Sequence, residues 1–305
     1  MLTMKYVVTG GAGFIGSNIV KLLVKNGHDV IIIDNLHTGN LSRIREIQEK
    51  TEFYKIDIRN YEELKEILRD IDGIFHQAAL TVVSESFEKP DEYFDVNVKG
   101  TKNIFTIAKE LGIKVVFASS SSIYGNVKEI PIKESFGKNP INPYGQTKVE
   151  KEKLTEEFWS HGGKIIGLRY FNVYGKGQTG TYAGVITQFM KRLDQNQAPL
   201  IYGKGTQMRD FIFVEDVAKA NIMAMESDTI QGFFNVGTGK SISISELAKL
   251  MINISAKDLS PIFDKELPGD VEKSMADISS IKEKIGWNYT IELEEGLKKL
   301  MTNKL

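Results

Sequence analysis

Cysteine is absent from all 305 residues, which excludes a disulfide framework, a zinc–thiolate site, an iron–sulfur cluster and a thiol nucleophile. Histidine is scarce: His28, His37, His76 and His161 never fall at the close spacing of a metal pair, so no metal is expected. Long apolar runs are missing as well. Val30 to Ile33 and Val115 to Ala118 are far below the roughly 18 residues that a spanning helix needs. The N-terminus offers one lysine, Lys5, and then a strand ending in glycines, with no apolar run of signal-peptide length. No membrane partner is expected, and a cytoplasmic protein is the default. Charge of one sign is lacking too: 39 basic against 40 acidic side chains leave −1, without the global basic field that nucleic-acid binders usually show.

What is present is length and pattern. At the usual chain length per domain, 305 residues suggest about two domains. Near-continuous apolar runs at Lys5–Thr9, Asp29–Asp34, Glu52–Ile56, Gly73–His76, Lys114–Ser119 and Lys164–Arg169 read as strands buried on both faces of a parallel sheet. Helical patterns near 15–26, 41–49, 61–69, 92–111 and 146–160 lie between them. Strand–helix alternation at this spacing predicts an α/β fold, a doubly wound parallel (Rossmann) sheet. After Tyr170 the rhythm changes: a glycine-rich loop spans 175–180, a helix is expected near 183–194, and Phe211–Val214, 216–226 and Phe233–Val236 return toward the sheet. From about Ser241 short helices alternate with loops. The expected division is 1–171 plus 211–239 for the sheet domain, and 172–210 plus 240–305 for a smaller C-terminal α+β domain.

The first strand runs into Thr9-Gly10-Gly11-Ala12-Gly13-Phe14-Ile15-Gly16, with an amphipathic helix behind it and an acid, Asp34, ending the next strand. Glycines there let backbone amides and a helix N-terminus approach a pyrophosphate. A carboxylate at Asp34 accepts the ribose hydroxyls of an adenosine. With no arginine in residues 35–42, Asp34 favours NAD over NADP, whose 2′-phosphate would face the carboxylate; His37 and Arg43 are the nearby cations.

A tyrosine four residues before a lysine on a helix shares a face with it, and the cation favours phenolate. Three such pairs occur: Tyr61/Lys65, Tyr124/Lys128 and Tyr144/Lys148. Tyr61 lies in a charged helix face and Tyr124 precedes Gly125 in a loop. Tyr144 follows Asn142-Pro143, a fitting N-cap and first-turn proline, and opens the helix leading into the sixth strand. The fifth strand ends in Ser119-Ser120-Ser121-Ser122, hydroxyls at the sheet edge where ligands sit.

TGGAGFIG, Asp34-Asn35-Leu36, Asp57-Ile58, FHQAA, SSSSIYG, YGQTK and LRYFNVYG occur in this order. Together they resemble an extended short-chain dehydrogenase/reductase, specifically the UDP-hexose 4-epimerases, over roughly Val7 to Leu297. The resemblance implies an isomerase that uses NAD and a UDP-sugar and assigns the smaller domain to the nucleotide sugar. It further implies a homodimer formed through the helices near 92–111 and 146–160. Ser120, Tyr144 and Lys148 match the catalytic residues, with Tyr144 as general base and Lys148 also reaching the nicotinamide ribose. Gly10, Gly13, Phe14, Ile15, Gly16, Asp34, Asn35, Asp57, Ile58, Gln77, Ala78, Ala79 and Asn97, with Tyr144 and Lys148, match cofactor positions, Asn97 near the cofactor and the active-site backbone. Thr81, Ser120, Asn172, Arg209, Asp270 and Ser274 match substrate positions, Arg209 as the diphosphate grip and Asp270 near the uridine ribose.

Two departures stand out. Leu267 occupies a position where related enzymes often carry a second arginine. Ser121 and Ser122 follow the catalytic hydroxyl where nucleotide-sugar dehydratases carry an acidic pair and decarboxylases a glutamate. Without a placed acid, water elimination loses its catalyst, which favours epimerisation. A UDP-glucuronate 4-epimerase, a decarboxylase or a dehydratase stays open within the family, and a non-catalytic NAD-binding sensor outside it. Ser274 matches the border of the sugar's 2-substituent, where a small residue admits an N-acetyl group; UDP-GlcNAc/UDP-GalNAc are expected substrates beside UDP-Glc/UDP-Gal.

Overall fold

The computed structural model describes residues 2–178, 184–266 and 271–302. In chain order the first part comprises β1 (Lys5–Thr9), α1 (Phe14–Lys25), β2 (Asp29–Ile33), β3 (Thr51–Tyr54), α2 (Tyr61–Ile67) and β4 (Gly73–His76). It continues with α3 (Val83–Glu88), α4 (Pro90–Phe94), α5 (Gly100–Leu111), β5 (Lys114–Ser120), α6 (Pro143–Ser160) and β6 (Lys164–Tyr170). There follow β7 (Asn172–Tyr174), α7 (Val185–Asp194), β8 (Leu200–Tyr202), β9 (Met208–Arg209), β10 (Phe211–Phe213), α8 (Val214–Glu226) and β11 (Gln231–Val236). Last come β12 (Ile242–Ser243), α9 (Ile244–Ser255), β13 (Ile262–Asp264), α10 (Ser279–Ile285) and α11 (Leu293–Thr302).

Seven parallel strands form the sheet in the order β11-β6-β5-β4-β1-β2-β3. Successive side chains in a strand point to opposite faces, and here both faces are covered. Tyr6, Val8, Val30 and Ile32 join one core; Val7, Ile31, Ile33 and Ile74 join the other. That double burial is why the strands read as unbroken apolar runs. Helices α1 and α8 cover the first face, α5 and α6 the second.

A third core gathers Phe189 and Leu193 of α7, Phe211 and Phe213 of β10, Leu247 and Met251 of α9 and Leu297 of α11. The stretch from Ala276 to Trp287 packs on the first sheet core rather than on this third one. Residues 41–50 form two 3₁₀ segments instead of the single helix expected over 41–49. The expected helix over 92–111 is interrupted by a π-helical stretch, Asp95–Lys99, between α4 and α5. Such wide turns often occur at functional sites, and this one presents Asn97 to the interior. No helix among the described residues is long and apolar enough to cross a membrane.

Candidate active site

Strand β1 pairs with β2 on one side and β4 on the other, so chain connections leave β1 in opposite directions. At this reversal, beyond the carboxyl ends of the strands, a cavity of about 580 Å³ opens. Gly10, Gly13, Phe14, Ile15 and Gly16 line its first wall. Gly10 has φ +68°, and a Cβ there would stand 2.8 Å from the Ala78 nitrogen; a Cβ at Gly16 would strike the Gly10 carbonyl. Side chains at these positions would therefore push the loop away from any ligand. The N-terminus of α1 has no side-chain cap, which leaves its first amides to a diphosphate.

Asp34 directly follows β2, is buried, and accepts from the N–H groups of Ala12 (3.0 Å) and Leu36 (2.8 Å). Burial pushes its carboxyl above the usual range, and the two backbone donors with Arg43 pull it back. Asn35, Ile58, Gln77, Ala78, Ala79 and Thr81 also line the cavity. Asp57 stands behind them instead: it accepts from Asn35 Nδ2 at 3.1 Å and from Arg59, whose hydrogen bonds hold its carboxyl down at about 2. Asn97 likewise does not line the cavity. Fully buried, it accepts from the Leu80 N–H (2.8 Å) and donates to the Leu80 carbonyl (2.9 Å) and Thr147 Oγ1 (3.0 Å), tying the loop after β4 to α6.

Ser120, Tyr144 and Lys148 meet at one end of this cavity. Asn142 caps α6 through the Gly145 N–H (2.8 Å) and Pro143 occupies its first turn, which fixes the helix start beside the end of β5. Tyr144 and Lys148 then share a helix face, the Lys148 Nζ lying 5.4 Å from the Tyr144 ring centroid. Burial pushes the phenol up to about 12, against which the Ser120 hydroxyl acts by donating to it. Lys148 donates to the Ala118 carbonyl at 2.9 Å, and burial brings its ammonium down to about 8 while Glu152 opposes the change. The other two pairs lie elsewhere: Tyr61 and Lys65 are on the surface beside Glu110, and buried Tyr124 donates to Asn235 Oδ1 at 2.7 Å.

Behind the catalytic set, Arg169 of β6 grips Glu152 of α6 with two hydrogen bonds (2.7 and 2.9 Å), and Ser119 adds a third at 2.7 Å. This buried pair fixes α6 against the sheet one turn beyond Lys148. His76, wedged between Thr9 Oγ1 and Thr101 Oγ1, is held neutral by burial and by the nearby lysines. Lys151 is wholly buried with its Nζ over the Phe117 ring at 5.2 Å and no hydrogen-bond partner; burial first, then Lys148, drives its ammonium far down.

Of the residues expected on the substrate side, Thr81 and Ser120 line this cavity, whereas Asn172, Arg209 and Ser274 do not. Arg209, half-buried in β9, donates to the Met208 carbonyl at 2.8 Å. Its neighbour Asp210 is engaged by the N–H groups of Thr238, Gly239 and Ala276 and by the Thr238 hydroxyl. Ser274 is buried and its N–H donates to the Met208 carbonyl at 3.0 Å, which sets it beside the Arg209 strand. Asn172 is exposed at the start of β7. Asp270, with Leu267, lies outside the described residues. Sequence reasoning missed Thr38, Val82, Tyr170, Phe171 and Gln178 as lining residues, and placed Arg43 only as a nearby cation. Tyr170 and Phe171 were within reach, since LRYFNVYG had already been singled out.

Residues 6–237 match the NAD dependent epimerase/dehydratase family. The chain belongs to that family. NAD is its cofactor, and the glycine cradle, the uncapped α1 terminus and Asp34 fit a dinucleotide. The UDP-N-acetylglucosamine 4-epimerase of Methanobrevibacter ruminantium M1, solved with UDP-N-acetylmuramic acid, is 38% identical, with TM-score 0.94 over 99% of this chain and 98% of that one. The UDP-glucose 4-epimerase of Thermotoga maritima, solved with UDP-glucose, is 37% identical, with TM-score 0.93 over 98% of each chain. The UDP-glucose 4-epimerase of Lactobacillus helveticus is 34% identical over 93% of this chain and 92% of its own.

Proposed function

We propose that this enzyme interconverts the carbon-4 epimers of UDP-hexoses, accepting UDP-GlcNAc/UDP-GalNAc as well as UDP-Glc/UDP-Gal. The observation that carries the reading is the hydroxyl–phenol–ammonium set Ser120, Tyr144 and Lys148 at one end of the NAD cavity, with serines rather than acids at 121 and 122. Likeness to the Methanobrevibacter and Thermotoga enzymes supports the choice of substrate class.

Bound NAD supplies the oxidant for carbon 4 and gives the same electrons back, so no net redox change occurs. Tyr144, as phenolate, takes the proton of the carbon-4 hydroxyl, and Ser120 shares that hydrogen bond. Lys148 stabilises the phenolate. The 4-keto sugar turns in the pocket while Arg209 holds the diphosphate by its forked donors, with Asn172 and Asp270 beside the nucleotide. Tyr144 returns its proton to the carbonyl oxygen once the opposite face has been reduced. Asn97 and Asp57 act indirectly, fixing the Leu80 loop and Asn35.

Ser274 is buried next to the Arg209 strand, and its small size is what we read as admitting an N-acetyl group where a bulky side chain would exclude it. The working form we propose is a cytoplasmic homodimer joined through the helices over 92–111 and 146–160, with residues 172–210 and 240–305 serving the nucleotide sugar. Incubation with UDP-Glc, UDP-GlcNAc, UDP-GlcA and UDP-Xyl separately, with products resolved by NMR, tests the substrate reading. Epimers of the first two are expected. Turnover confined to UDP-GlcA or UDP-Xyl, or a decarboxylated or dehydrated product, would contradict it.

A further inference from the structure

Arg43 lines the cofactor cavity, yet its guanidinium is turned onto protein backbone. Nη1 donates to the carbonyls of Ala12 (3.0 Å) and Thr38 (3.2 Å), and Nε donates to the carbonyl of Gly177 (3.0 Å). These three acceptors belong to different parts of the cavity. Ala12 is in the glycine loop, Thr38 is in the loop after β2, and Gly177 is in the segment that leaves β7. The first two lie in loops joined by the Asn40 N–H to Ala12 carbonyl bond, and together they make the glycine-loop side, or floor, of the cavity. The third belongs to a separate segment, the one after β7, whose next residue, Gln178, gives the cavity a second wall.

Each side of this bridge is anchored independently. On the floor, the Ala12 peptide is fixed twice more, its N–H donating to Asp34 Oδ2 and its carbonyl accepting from the Asn40 N–H at 2.9 Å. On the wall, Gln178 donates to the Val173 carbonyl (3.2 Å) and accepts from the Thr187 hydroxyl of α7 (2.8 Å). Gly177 has φ +98°, and a Cβ there would sit 3.7–3.9 Å from Phe14 and the Arg43 stem. Glycine thus meets the backbone geometry that lets the carbonyl face Arg43. The guanidinium fork suits this task, since separate donors on one rigid plane reach acceptors on two walls.

We propose that Arg43 is a clasp that ties the 175–178 wall to the glycine loop over bound NAD and slows exchange of the cofactor. This rests on the NAD assignment and extends it: a cofactor that ends each turnover in its starting state has no need to leave, and the clasp keeps it in place. Parting the wall from the floor breaks the Arg43–Gly177 bond, a charge-assisted contact whose loss corresponds to about tenfold in a rate.

The test is release of labelled NAD from loaded protein chased with excess unlabelled NAD, for wild type, Arg43→Ala and Arg43→Lys. Both variants should release NAD about tenfold or more faster than wild type. In the cofactor-free proteins, trypsin should cut after exposed Lys176 faster in both variants than in wild type. The lysine variant keeps the stem and the charge, so it carries the test if the alanine variant does not fold. Release and cleavage at wild-type rates in both would overturn the clasp. Retention restored by lysine alone would overturn it too, because a point charge on the diphosphate would then suffice. Wild type that binds no NAD would overturn the cofactor assignment along with the clasp, an outcome distinct from the other two.

Discussion

Replacing Lys148 by methionine keeps the length of the stem and removes the charge beside Tyr144. The wild-type Nζ lies 5.4 Å from the phenol ring centroid. At an effective dielectric of about 20, a unit charge at that distance stabilises phenolate by about 3 kcal/mol, or about two pKa units. The sign follows from the mechanism. Activity needs phenolate, so kcat/KM rises with pH along an acidic limb, and loss of the cation moves that limb to higher pH. Below the limb the variant should turn over about a hundredfold more slowly than wild type, with the gap closing as pH rises. Because Lys148 is also expected to touch the nicotinamide ribose, the profile is measured at saturating NAD, with occupancy checked by absorbance. A variant that loses rate equally at every pH would refute the electrostatic role and leave only a positioning one.

Tyr144→Phe should still bind NAD and UDP-sugar yet lose about 10²–10⁴-fold in kcat, as expected for removal of a general base, which rapid-quench turnover assays would read. Ser274→Tyr should lower kcat/KM for UDP-GlcNAc far more than for UDP-Glc; equal losses would remove Ser274 as the gatekeeper. Lys151→Met should stabilise the protein by about 1–3 kcal/mol in urea titration, because it removes a buried amine without a partner. Burial lowers the Lys151 ammonium below its value in the unfolded chain, which therefore binds more protons, so wild-type stability should rise with pH up to the ordinary lysine range. The methionine variant should flatten that slope by up to about 1.4 kcal/mol per pH unit.

The cofactor half of the site was legible because its requirements are local. Gly10 needs positive φ, Gly16 needs close approach, and Asp34 needs only to end the second strand. Tyr144 and Lys148 were legible once Asn142-Pro143 marked a helix start, since helix periodicity alone places them on one face. What stayed hidden depends on distant partners. Lys151 looks like one of many helix lysines, and nothing in its neighbours announces that it faces Phe117 and His76 rather than water. Arg43 read only as a cation near Asp34, but three carbonyls, the farthest 134 residues away along the chain, claim it. Asn97 and Asp57 were legible as residues of the cofactor region, but not their partners: they bond to Leu80 and Asn35, which line the cavity. The break at Asp95–Lys99 has the same origin: helical periodicity runs through it, and the wide turn is set by what Asn97 must reach.

The central claim is that carbon 4 gives up its hydrogen to NAD and receives the same one back on the other face, while only the hydroxyl proton passes through Tyr144. UDP-glucose deuterated at carbon 4, converted in ordinary water and followed by NMR, tests this most directly. The account predicts UDP-galactose that keeps the label at carbon 4 and gains no solvent hydrogen there. Wash-out of deuterium from carbon 4, at any rate comparable with epimerisation, would contradict it.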